Sequence, residues 1–122
     1  MIKNSVKWLD DLAKKDYESA KTYLSLIYEE KTAARYVKKI RSAKISQYRA
    51  EDILRASELP VLDSNNACVR KDRRKIAAGK KLSPILLVRD PNREKVIIAD
   101  GYHRICAANY CNNANPIHCQ II

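Results

Sequence analysis

Glycine and proline are scarce in this chain, with two and four residues among 122. That scarcity argues against a turn-rich β-sandwich and against a low-complexity chain. No apolar stretch approaches the roughly 20 residues that a helical membrane span requires. The opening Met1-Ile2-Lys3-Asn4-Ser5 runs directly into charged, helix-patterned sequence, so no secretory signal is expected and the cytoplasm is the expected compartment. No Cys-x-x-Cys pair and no internal repeat occur. With no export signal, the four cysteines are expected to be reduced thiols. His103, Cys106, Cys111, His118 and Cys119 cluster in sequence, but their spacing fits no zinc pattern. No zinc site is expected, and Cys106 and Cys119 read as small buried hydrophobes.

What the chain does have is an ordinary core complement and an excess of positive charge. Apolar residues make up 46%, enough for one packed domain of 14.0 kDa. Lys and Arg total 24 against 14 acidic residues, a net +10. Residues 1–59 carry 13 basic and 9 acidic side chains (+4), and residues 60–122 carry 11 and 5 (+6). Such a balance attracts polyanions, although it also describes a solvated surface.

The pattern divides near residue 50. Val6, Leu9, Leu12 and Ala13 recur at helical spacing over 4–14. Asp16 suits the cap of a second helix, with Glu18 in its first turn. Ala20, Tyr23, Leu24, Ile27, Ala34, Val37 and Ile40 carry that helix to about Arg41, with an expected break near 29–31. Residues 50–57 read as a short helix ended by Pro60, Val61-Leu62 as a brief strand, and Asp63 to Asn66 as a loop. A basic helix follows over 69–79, with Gly79 placed to end it. Residues 84–88 and 95–99 form a hairpin about the turn Asp90-Pro91-Asn92-Arg93. A helix over 102–110, a loop over 112–116 and a last strand over 117–122 complete an α+β chain.

The chemistry concentrates in Asp100-Gly101-Tyr102-His103-Arg104. A buried strand ends at a glycine and a helix starts at once, which directs free backbone N–H groups outward as an anion site. Gly101 allows close approach of a phosphate. Arg104 offers a two-pronged donor. His103 suits hydrogen bonding or proton transfer, or simply the surface. Asp100 suits a magnesium ion or a general base, and equally a plain helix cap. Tyr102 suits packing or stacking on a base. A second feature is the basic run Arg70, Lys71, Arg73, Arg74, Lys75, Lys80 and Lys81, a candidate contact for phosphates or nucleic acid and also readable as a solvated face. Gly79-Lys80 lacks the flanking residues of a Walker loop.

Pro84-Ile85-Leu86-Leu87-Val88, the hairpin, and Ile98-Ala99-Asp100-Gly101-Tyr102-His103-Arg104 with Ala107-Ala108 together resemble the core of the ParB/sulfiredoxin superfamily. Pro116-Ile117-His118-Cys119 resembles its final strand. The likeness covers about residues 50–122 and implies a small mixed sheet with flanking helices, preceded by a helical extension over 1–49. It implies nucleotide-phosphate binding at Gly101, Tyr102, His103 and Arg104. Asp100 and His103 would be the catalytic residues, and Asp100 would hold a magnesium ion accompanying ATP or CTP. Chromosome-partition members bind CTP and read DNA with a further helix-turn-helix domain, which is not expected within these 122 residues. Sulfiredoxins place their catalytic cysteine where this chain has Tyr102, so that activity is not expected. The string is most similar to that of the free-serine kinases, acid-Gly-x-His-Arg. Those kinases also use a glutamate from an earlier loop, whereas the matching region here, residues 59–69, offers only Asp63. Some members are nucleases.

Three functional readings follow. The first is a nucleotide-binding protein that transfers or hydrolyses a phosphoryl group. The second is a non-catalytic DNA- or RNA-binding module using the same turn and the basic helix. The third is a protein-interaction adaptor, with residues 1–45 as a helical element that docks a partner or forms a homodimer.

Overall fold

The computed structural model describes residues 5–122. The reading of Met1 to Asn4 lies outside the described residues. The chain is a mixed α+β protein. Its elements run β1 (Lys7–Trp8), α1 (Lys14–Leu24), α2 (Glu30–Ser42), β2 (Ser46–Arg49), α3 (Ala50–Ser57) and α4 (Ala67–Ala77). They continue with β3 (Lys81–Leu82), β4 (Ile85–Asp90), β5 (Lys95–Asp100), α5 (Tyr102–Cys111) and β6 (Pro116–Ile121). Among the described residues, no helix is long and apolar enough to cross a membrane.

The sheet explains the two uninterrupted apolar runs. Its strand order is β2-β6-β4-β5, with β4 antiparallel to β5, β4 parallel to β6 and β2 antiparallel to β6. Both of its faces are covered, so alternate residues of one strand enter different cores. Leu86, Val88, Ile97 and Ala99 pack against Tyr17, Ala20, Leu24, Ala33 and Ile40 of α1 and α2. Ile85, Leu87, Ile98, Ile117 and Cys119 pack against residues of α3, α4 and α5, and Trp8 and Leu82 join the same core.

Residues on both sides of position 50 therefore share one sheet. The apolar stripes of α1 and α2 are spent on its face, and β2 is an edge strand of it. Tyr17 fastens this arrangement. Its hydroxyl donates to Gln120 Oε1 at 2.6 Å, and Gln120 Nε2 donates to the Ala43 carbonyl at 2.7 Å.

Several local expectations are corrected. Of the helix expected over 4–14, the described part is an irregular segment containing the two-residue strand β1, parallel to β3. A helical stripe would aim its apolar residues one way, but here Trp8 and Val6 join one core and Leu12 joins the other. The long helix expected to Arg41 is interrupted over residues 25–29, earlier than the spacing suggests. Tyr28 holds this bend by donating to Asp90 Oδ2 at 2.6 Å, at the hairpin turn. Asp16 lies within the first turn of α1, where its carboxylate accepts from the Ala13 amide at 3.1 Å. Val61-Leu62 is not a strand. Tyr102 and Tyr110 of α5 pin this connector instead, donating to the carbonyls of Pro60 and Leu62.

The basic helix and the final helix form where the sequence places them. Asn66 caps α4, accepting from the amides of Cys68 (2.9 Å) and Val69 (3.2 Å). Gly79, at φ +73°, turns the chain out of α4.

Candidate anion site at the start of α5

The site is built from the end of the hairpin. Strand β4 pairs with β5 in register from Asp90↔Lys95 to Leu87↔Ile98, and the register then shifts so that Leu86 faces Asp100. Such an irregularity re-aims the residue at a strand end. Gly101 follows at φ +107°, a left-handed conformation that side-chain-bearing residues rarely adopt. A Cβ there would collide with Cδ1 of Ile85 and would lie 2.8 Å from Nη2 of Arg104. Both conformation and space require glycine.

Helix α5 begins at the next residue. No side chain caps its N-terminus, and its first backbone bond in the series runs from the Ile105 amide to the Gly101 carbonyl at 3.1 Å. The amides of Tyr102, His103 and Arg104 precede that bond and belong to the turn whose N–H groups lack intrahelical acceptors. The positive end of the helix dipole adds to their field.

Asp100 does not cap this helix. Its Oδ2 takes Nη2 of Arg104 at 3.0 Å, a pair four residues apart whose side chains are each 18% exposed. The same Nη2 reaches the Pro84 carbonyl at 3.3 Å. Nε of Arg104 is buried without a hydrogen-bond partner. The guanidinium thus lies back over Gly101 and joins the start of the hairpin to the start of α5. The carboxyl pKa of Asp100 is raised, chiefly because burial penalises its charge; Arg104 opposes this, and the nearby Asp16 adds to it.

Sequence reasoning missed Asp72, counting it only as one acid within a basic run. Asp72 lies on α4, which packs against α5, and is half-buried. Desolvation raises its pKa, opposed in order by Arg104, Lys75, His103 and Lys71. Arg104 therefore feels carboxylates from two elements, Asp100 at the strand end and Asp72 on the basic helix. The missed signal was helical phase. Val69, Asp72 and Ile76 lie three and four residues apart, so the acid shares the inward face of α4.

The seven basic residues divide accordingly. Lys71 and Lys75 flank Asp72 and contribute to the field at the site. Arg73 turns the other way, with its guanidinium 5.5 Å from the Tyr110 ring centroid, where its charge opposes the rise that burial gives the Cys111 thiol pKa. Arg70 and Arg74 share the outer face of α4 and are exposed. Lys80 and Lys81 follow the helix and are exposed, and Lys81 pairs with Lys7 across β1 and β3.

His103 is half-buried, its ring tilted 6.0 Å from that of Tyr102. The Tyr102 hydroxyl is engaged by the Pro60 carbonyl, and burial raises its pKa. Asp63, the one acid in the region matching the kinase loop, is exposed and accepts from the Asn65 amide at 2.7 Å as a turn former.

The remaining cysteine and histidine residues are distributed through the fold. Cys106 and Cys119 are fully buried, as small hydrophobes would be, and burial pushes the Cys119 thiol up to about 11. His118 stacks on Trp8, centroids 5.6 Å apart. Among the described residues, no group of three or more His, Cys, Asp or Glu side chains is placed to hold a metal ion. Arg104 engages only Oδ2 of Asp100, and a magnesium ion at this carboxylate would need the phosphates of a bound nucleotide for its other ligands.

Comparison with protein-family models, curated proteins and solved structures finds no match to this chain.

Proposed function

We propose that this chain is a nucleotide-binding protein of the ParB/sulfiredoxin kind, with a phosphate group seated on the first turn of α5. One observation carries the reading. The cap position is Gly101, which has no side chain to offer, the neighbouring Asp100 is committed to Arg104, and the amides of the turn are left without a side-chain acceptor. A short polar cap is worth about 1 kcal/mol, and a turn that goes without one suits an external anion. The order strand, strand, glycine, helix, strand over residues 85–121 supports the superfamily likeness.

In this reading Gly101 admits the phosphate and the three amides donate to its oxygens. Lys71, Lys75 and His103 supply charge and a further donor from the flank. Arg104, held by Asp100, is a positioning residue beneath the phosphate and has donors to spare. Transfer or hydrolysis of the terminal phosphoryl group requires a proton acceptor near the attacking hydroxyl. Asp72 and Asp100 are the two candidates, both with raised pKa. Thermal melts with ATP or CTP, with and without magnesium, test the reading. At about 100 times the dissociation constant a ligand adds about 2.7 kcal/mol, or about 10 °C for a chain of this size. Absence of a shift with either nucleotide would overturn it.

A second reading rests on a different observation. Arg70, Arg74, Lys80 and Lys81 are exposed, and none of them forms an ion pair among the described residues. These cations would suit the phosphates of a DNA or RNA backbone running past the nucleotide site. Gel shifts at two salt concentrations test it. Binding that weakens steeply with salt supports the track, and unchanged mobility with any nucleic acid removes it.

A further inference from the structure

A separate cavity lies on the opposite end of the sheet face that α3 covers. Its floor is Leu87 of β4, Val96 of β5 and Ile121 of β6, its wall is Ile53 and Ala56 of α3, and its volume is about 180 Å³. It exists because α3 is only eight residues long and leaves this end of the face uncovered.

The alternation of β4 makes the rim unusual. Ile85 and Leu87 put apolar side chains on this face, and the next position on the same face is Arg89. The guanidinium crosses the sheet to β2, where Nη2 donates to the Tyr48 hydroxyl at 3.1 Å. No carboxylate of the described residues forms an ion pair with Arg89. The one acid on the lining, Asp52, is shared between Arg49 and Arg55, each 3.5 Å away. Because the Tyr48 oxygen accepts from Arg89, its own proton remains available. An unpaired guanidinium and a phenolic O–H therefore converge over an apolar hollow.

We infer that this cavity binds a small aromatic monocarboxylate, its ring against Leu87, Val96 and Ile53 and its carboxylate on Arg89 and Tyr48. The planar fork of arginine matches a carboxylate, and an apolar cavity of about 150 Å³ is already large enough for a benzene ring. The site is distinct from the start of α5 and does not rest on the nucleotide reading.

Titration of the full chain with phenylacetate, followed by backbone amide NMR, tests it. Saturable shifts are expected at Leu87, Arg89, Val96 and Ile53. Phenylacetamide, which keeps the ring and loses the charge, is expected to bind about tenfold more weakly or worse, as are the variants Arg89→Gln and Tyr48→Phe. The amide comparison uses the unaltered protein, so it stands even if a variant folds poorly. No saturable shift up to about 10 mM phenylacetate, a strength below which binding is negligible, would overturn the inference. So would equal binding of acid and amide, which would mean adsorption to an apolar surface alone.

Discussion

One nitrogen of Arg104, Nη2, joins the Asp100 carboxylate at 3.0 Å to the Pro84 carbonyl at 3.3 Å. This contact connects the residue before β4, the end of β5 and the first turn of α5. It also places a guanidinium where a side chain on residue 101 would otherwise sit.

Replacement Asp100→Asn removes the charge from this pair and keeps a side chain that can still accept from Arg104. Burial raises the Asp100 carboxyl pKa in spite of Arg104, so at neutral pH the charge carries a net cost and the variant is expected to be at least as stable as the parent. Chemical denaturation of the two proteins at pH 7 measures it. A variant less stable by about 1 kcal/mol or more would show that attraction to Arg104 outweighs burial.

Gly101→Ala is expected to cost about 3 kcal/mol, combining left-handed strain with displacement of Ile85 and Arg104. Denaturant midpoints measure the loss. A cost below about 1 kcal/mol would mean that the turn relaxes freely.

The helices and strands after residue 60 were largely legible because each rule applies locally. Asn66 and Gly79 bracket α4, and two apolar runs flank the Asp90–Arg93 turn. Residues 5–14 were not legible, because their apolar side chains serve two cores and no single period describes them. Strand β2 is short and polar and β3 is only two residues long, and only their partners β6 and β1 define them. At the candidate site, Gly101 and Arg104 could be found as a contiguous string. The role of Asp72 could not, since it depends on how α4 packs on α5.

Asp72 gives a pH prediction. Its folded pKa is raised above the ordinary 3.8, so protonation favours the folded state, and this gain is complete below 3.8 and lost as pH rises through the folded value. At neutral pH the charged carboxylate therefore works against folding. Asp72→Asn is expected to melt higher than the parent at pH 7, with the difference shrinking as pH falls toward 3.8. Melting curves across that range decide it; a variant less stable than the parent at pH 7 would show that attraction to Arg104 and the flanking lysines outweighs burial.

A chain beginning at Ala50 is expected not to fold. It would lose β2 and uncover Leu86, Val88, Ile97 and Ala99, all buried here by α1 and α2. Circular dichroism of the fragment with a melting curve tests this. A cooperative transition near that of the full chain would show that residues 50–122 form an independent unit.

The most direct test of the nucleotide reading is amide NMR of the full chain on addition of ATP, CTP and inorganic phosphate. Large saturable shifts at the amides of Tyr102, His103 and Arg104, stronger for a nucleotide than for phosphate, are the expected result. Saturation confined to residues elsewhere, or no change at these three amides, would contradict it.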